Sequence, residues 1–272
     1  MIKIIKSVNN LSNNYQIQGS VFYLEFILIM IIGLCIGSFL NVCIYRIARD
    51  ESIVFPASHC TTCGYELRIL DLIPLISYIA LRGRCRNCKE KISMRYPIVE
   101  FTNSLLYGLA YLQYGLSIDL IKVCIFISLL LVIALIDYDT QYVYMSTIIF
   151  GLSAGVLFLI LKCIELQSIT YTYIAGAVIG YSIIGLIVVL TGGMGKGDID
   201  IALICGLFLG VKGIAINLFI AFIVGGILGA CLLLFKKKGR KEEMAFGPFL
   251  ALGAIVTILY GNKIFEMYMA MI

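Results

Sequence analysis

Stretches of roughly twenty apolar residues recur from Val21 to the end of this chain, and each is long enough to cross a bilayer as a helix. Backbone N–H and C=O groups find no water in hydrocarbon, so such stretches must satisfy one another internally. The expected fold is therefore an all-α polytopic membrane protein. Composition agrees: 61% of residues are hydrophobic and 14% are charged, a balance that excludes an ordinary soluble domain. The 26 glycines suit close helix packing in a membrane.

The apolar pattern predicts about eight transmembrane helices, near 22–47, 97–113, 119–136, 143–162, 173–190, 199–212, 214–235 and 246–270. The boundary between the sixth and seventh rests on Val211-Lys212-Gly213, the only break between Leu203 and Phe222. Fusing those two helices would change the parity of every later crossing. The first twenty residues lack the basic start, apolar middle and small-residue cleavage site of a signal peptide, so the first apolar run is expected to stay in place. Net charge is +5, which requires no nucleic-acid partner. Its distribution is more informative. Basic residues crowd the loop from Ala48 to Tyr96 and the run Lys236-Lys237-Lys238-Gly239-Arg240-Lys241. Positive charge on short loops stays in the cytoplasm. Eight helices put both basic segments inside, with both termini outside. They also put the acidic clusters at Asp137 and Asp198 on the cytoplasmic side.

Six of the ten cysteines (Cys35, Cys43, Cys124, Cys163, Cys205 and Cys231) lie in apolar runs and read as small buried hydrophobes. The other four form Cys60-Thr-Thr-Cys63 and Cys85-Arg-Asn-Cys88 in the polar loop. Two Cys-x-x-Cys turns hold a tetrahedral zinc ion without strain. The 21-residue spacer from Gly64 to Arg84 slightly exceeds the usual ribbon window. A cytoplasmic loop disfavours the competing reading of two disulfides; four unrelated thiols are the other alternative. His59, the only histidine, precedes Cys60 and is a candidate substitute ligand, though it reads more simply as a polar loop residue. The expected centre is structural Zn2+ on Cys60, Cys63, Cys85 and Cys88.

Ionisable residues at membrane depth are functional candidates. Asp137 and Asp139 end one apolar run, and Asp198 and Asp200 follow Gly193-Met194-Gly195-Lys196-Gly197. Residues two apart on a helix point about 200° from one another, so only one of each two can face a given partner. Spacing leaves all four pairings open, and four interfacial loop markers are the plain alternative. The three glycines permit bending and close approach, or simple helix packing. Two carboxylates about 3 Å apart cannot both ionise, so such a pair shares a proton and can hydrolyse a peptide without metal or covalent nucleophile.

Taken together, several motifs resemble the bifunctional type IV prepilin peptidases, over nearly the whole chain from Gly33. They are Gly37-Ser38-Phe39-Leu40-Asn41-Val42, Tyr45-Arg46, the four cysteines, Ile73-Pro74-Leu75-Ile76-Ser77-Tyr78, Leu81-Arg82-Gly83-Arg84-Cys85, Tyr96-Pro97-Ile98-Val99-Glu100, Leu135-Ile136-Asp137, the glycine–aspartate string, and Phe246-Gly247-Pro248-Phe249-Leu250-Ala251. The resemblance implies an aspartic-protease dyad of Asp137 and Asp198, with Asp139 and Asp200 secondary. It implies removal of the basic leader from prepilins, pseudopilins or competence pilins at the cytoplasmic face of the bacterial inner membrane, then N-methylation of the new terminus from S-adenosylmethionine. Gly37, Asn41 and Glu100 match family-typical positions. Pilus or secretion assembly machinery is an implied partner. The corresponding division is a polar segment 1–21, a first transmembrane helix 22–47, a cytoplasmic zinc-binding loop 48–96 and a transmembrane peptidase domain 97–272. Three positions depart from the family: Tyr144-Met145 replaces Pro-Asp, Asp200 stands where lysine is frequent, and Ala245 replaces a proline.

Two other classes compete. An ion-coupled transporter would use the same aspartates as proton sites, since glycine-broken helices and intramembrane acids suit carriers. It explains the cysteine loop poorly. A zinc-loop scaffold of a secretion machine would need no chemistry. Methylation rests on resemblance alone, because no glycine-rich nucleotide loop stands out.

Overall fold

The computed structural model describes residues 2–166, 171–234 and 245–271, with side chains described for 21–165, 171–231 and 245–270. The basic run 236–241 lies outside these. Among the described residues all regular structure is helical: α1 (Ile2–Ile47), α2 (Ile76–Ala80), α3 (Arg95–Tyr114), α4 (Ile118–Thr140), α5 (Met145–Leu166), α6 (Tyr171–Thr191), α7 (Lys196–Leu234) and α8 (Gly247–Met271). A single 3-10 turn, Ile69–Asp71, precedes α2. Among the described residues six stretches are long and apolar enough to cross a membrane, in α1 and in α4 through α8. The chain is thus a multi-pass membrane protein. It divides into two compact units, Met1–Phe39 with His59–Leu120, and Leu40–Ser58 with Ile121–Ile272.

In the first unit α1 and α3 run antiparallel, because contacts that rise along one helix fall along the other. Asn103 Nδ2 donates to the Gly33 carbonyl at 2.8 Å, Ser104 Oγ to the Met30 carbonyl at 2.8 Å, and the Tyr111 hydroxyl to Glu25 Oε2 at 2.6 Å. Small residues bring the backbones together: a Cβ on Gly37 would stand 2.7 Å from the Glu100 Cα. Polar Glu100, Thr102, Asn103 and Ser104 keep α3 off the set of six apolar stretches, yet it lies along the apolar part of α1.

In the second unit α6 packs on α7 with backbone touching backbone at Gly176 and Gly206. Phe126 of α4 stacks on Phe208 of α7, centroids 4.2 Å apart, and Phe158 of α5 closes on the same ring at 6.4 Å. The element α7 is not one straight rod. Gly210 sits at φ 71°, ψ −177°, a region essentially closed to other residues. Phe246 packs on Phe222, centroids 5.5 Å apart, while its neighbour Gly247 lies against Ile201. Ile201 and Phe222 would be about 31 Å apart on a straight helix. Gly180 likewise touches both Ala202 and Ile214. The chain therefore doubles back at Gly210 into a helical hairpin. The expected break at Val211-Lys212-Gly213 falls just beyond the observed one, because Lys212 is accommodated over the Phe265 ring (4.5 Å) and does not end a helix.

Helix α1 starts at Ile2, twenty residues before the expected start at 22, although its apolar stretch begins at Val21; other boundaries move modestly. Helix α4 continues to Thr140, four residues past the expected end, so Asp137 and Asp139 are helical. Helix α5 starts at Met145, where Tyr144 donates its hydroxyl to the Ala48 carbonyl at 3.0 Å and its carbonyl accepts from Thr147 Oγ1 at 2.7 Å. In this chain Tyr144 thus occupies a helix start, tying it to the end of the first apolar helix.

Candidate functional site

The two motif aspartates are both buried, each 4% exposed. Asp137 sits in the last turn of α4 and Asp198 in the first turn of α7. Ile199 lies against Gly185, six residues before α6 ends at Thr191, so Asp198, one residue earlier, is sunk about 7–8 Å inside that helix end. Each carboxylate receives a backbone donor from a glycine. Gly247 N–H reaches Asp137 Oδ2 at 3.0 Å, and Gly195 N–H reaches Asp198 Oδ2 at 3.1 Å. Gly247 opens α8, so Asp137 faces the positive end of a helix, where N–H groups have no intrahelical partner. The space at Gly247 is shared: a Cβ there would stand 2.5 Å from Asp137 Oδ2 and 3.0 Å from Ile201 Cδ1. Ile201 is one turn beyond Asp198 on the same face. Gly247 thus links Asp137, through its N–H, to the turn of α7 that follows Asp198.

The other candidates sit differently. Asp139 is exposed and Asp200 half-buried. Of the motif glycines, Gly197 presses on Val143, where a Cβ would meet Cγ2 at 2.5 Å. The part played by Gly247 is not visible in its motif. A Gly-Pro pair opening a helix signals a free N–H donor, but not which acid it serves.

The cysteine loop forms two matched turns. Gly64 N–H returns to the Cys60 carbonyl (2.9 Å) and Cys60 N–H to that of Tyr65 (2.9 Å); Lys89 N–H returns to Cys85 (3.1 Å) and Cys85 N–H to Glu90 (2.8 Å). Gly64 and Lys89 hold the same left-handed position, at φ 68° and φ 62°. Sγ atoms of Cys60 and Cys88, and of Cys63 and Cys85, are 3.9 Å apart, and all four lie within 4.8 Å of one another. Zinc–sulfur bonds of about 2.3 Å in a tetrahedron require sulfurs about 3.8 Å apart. These separations are nearly twice a disulfide bond. The four thiols thus fit one metal ion. Backbone N–H groups of Cys63 and Thr62 pull the Cys60 thiol down to about 6, while Cys88 beside the other three thiols is pushed up to about 12. His59 lies outside the cluster and forms a bridge with Glu66.

Glu100 is buried and accepts the Leu75 N–H at 2.9 Å. Arg86 donates to Asp71 Oδ1 at 2.8 Å and 2.7 Å, and that guanidinium holds the Asp71 carboxyl below its ordinary range. Asn41 is buried in the second unit.

Residues 31–114 match the bacterial peptidase A24 N-terminal domain, and residues 124–230 match the type IV leader peptidase family. Three relatives are each named prepilin leader peptidase/N-methyltransferase. One from Bacillus subtilis is 31% identical, over 90% of this chain and 98% of that protein. One from Neisseria gonorrhoeae is 33% identical, over 87% and 91%. One from Pseudomonas putida is 31% identical, over 89% and 93%. No solved structure matches the chain. With both matches in chain order, and the buried aspartates and thiol cluster at the motif positions, the chain belongs to the type IV leader peptidase family.

Proposed function

We propose that this protein is a membrane aspartic endopeptidase that removes the leader from prepilins or pilin-like proteins, with Asp137 and Asp198 as its dyad. The observation that supports the assignment is that both carboxylates are buried and each takes a glycine N–H, with Gly247, the donor to Asp137, packed on Ile201 one turn beyond Asp198. One carboxylate takes a proton from water, which attacks the scissile carbonyl carbon. The other protonates the carbonyl oxygen; as the resulting gem-diol collapses, the first acid gives its captured proton to the leaving amine and the second regains one from a gem-diol hydroxyl, so the pair returns to its starting state. Burial excludes competing water and fixes both groups before substrate arrives. No observation favours the carrier or the scaffold.

The topology that supports this reading has eight crossings: the six apolar stretches, α3 alongside α1, and the second arm of α7. The basic loop then faces the cytoplasm of the bacterial cell, and the site opens to that side of the inner membrane. The four-cysteine cluster holds zinc in a structural role, since four thiolates leave no open position. S-adenosylmethionine-dependent N-methylation of the new terminus is proposed from the relatives' names. No residue is assigned to the donor.

Purified protein incubated with a synthetic prepilin and methyl donor, read by intact mass, separates the two activities. Asp137→Asn and Asp198→Asn are each expected to lower cleavage by about 10²–10⁴-fold or more. Asp139→Asn and Asp200→Asn should cleave near the parent rate. Normal processing by either dyad variant would overturn the assignment.

A further inference from the structure

The loop between the first and third helices has an inverted surface. Ile69 is 85% exposed, Leu70 67%, Ile76 64% and Ile79 74%, while the acidic residue among them, Asp71, is turned inward onto Arg86. These exposures equal or exceed that of Leu28, at 49%, on the membrane-spanning α1. A patch of this kind marks a surface that does not face water. Ile76 and Ile79 are three apart and share a face of α2.

The depth of the segment follows from its tether. Leu75, which starts α2 at φ 58°, donates its N–H to Glu100, and Glu100 backs onto Gly37 of α1. The apolar stretch of α1, Val21–Ile47, is 27 residues, about seven more than the roughly 20 that fill a hydrocarbon core. Even if that whole surplus protrudes at the loop end, Gly37 remains about 5 Å inside the boundary. The start of α2 is thus held within one glutamate side chain and one hydrogen bond of that level, at the boundary of the acyl chains. Charge agrees with a lipid neighbour. From His59 to Arg95 there are seven basic residues against three acidic, and exposed Arg68 and Arg82 bracket the apolar segment. Long cationic side chains in those positions reach headgroup phosphates.

We infer that residues 69–81 form an interfacial membrane anchor, with Ile69, Leu70, Ile76 and Ile79 immersed in the acyl boundary of an anionic bilayer, so that the four-cysteine cluster is held against the lipid surface. Glu100 is the positioning residue that fixes the anchor's depth.

The chain contains no tryptophan, so one introduced indole reports alone. Full-length Ile76→Trp and Ile79→Trp, reconstituted in phosphatidylglycerol-containing vesicles, should emit blue-shifted light. Acyl-brominated lipids should quench it, and aqueous iodide should not. Leu28→Trp supplies the benchmark for a lipid-facing site. Shallow bromines should quench Ile79→Trp more than deep ones, because an interfacial helix buries its apolar face by roughly 5–10 Å. Red emission quenched by iodide would overturn the inference. So would blue emission insensitive to brominated lipid, which would mean that a substrate helix or a second copy covers the face.

Discussion

Gly247 has no side chain, yet two buried groups press on the place where one would begin. A methyl there would meet Asp137 Oδ2 at 2.5 Å and Ile201 Cδ1 at 3.0 Å; both are side-chain ends, but both side chains are buried and have little room to give. Gly247→Ala should push the Asp137 carboxylate off its N–H donor. A displacement of about 1 Å costs on the order of 10²-fold in rate, and overpacking costs about 1–3 kcal/mol in stability. Cleavage kinetics and a detergent melt measure both, and parent-like cleavage would mean that the start of α8 does not orient Asp137. The acids were legible at this scale because a carboxylate stands out in an apolar run. Their pairing was not, since positions two apart on a helix leave four combinations, and a backbone N–H aimed at an acid leaves no mark in a sequence.

A helix break in a membrane is hard to read from hydropathy, and α7 illustrates why. Its polar interruption, Lys212, is tolerated over Phe265, whereas the turn is made by Gly210, which looks like any packing glycine. Gly210→Ala would place a side chain where φ is 71° and ψ −177°, at a cost of about 1–3 kcal/mol. A lowered melting temperature of the purified protein checks this. An unchanged melt would show that the hairpin tolerates another turn geometry. The paired cysteine turns are the opposite case. Their spacing was readable because a Cys-x-x-Cys turn is a local geometry, set by hydrogen bonds within a few residues.

Across the molecule, the extramembrane segment has little apolar core, so its order is expected to depend on a metal held by the four sulfurs. The described loop has one five-residue helix, one 3-10 turn and few buried side chains. Metal binding at such sites supplies about 10–16 kcal/mol in peptides, enough to decide whether the fold exists. Chelation should therefore increase amide exchange across 59–93, while the helices of the second unit keep their protection. Loss of protection throughout would show that the cluster supports more than its own loop. The all-helical, multi-pass fold class was accessible from apolar run lengths. How deep the loop sits was not, because depth depends on Glu100 meeting Leu75, 25 residues apart.

The doubled-back α7 also constrains how the protein is made. Its first arm, 196–209, is about 21 Å long, short of the roughly 30 Å of a hydrocarbon core. One glycine joins it to the second arm, so no hydrophilic connector exists to park at the far surface while synthesis continues. An arm too short to lodge by itself must wait for its sequel. The first arm therefore gains its apolar partner only from the second, and the depth of Asp198 depends on residues as far along the chain as Phe222.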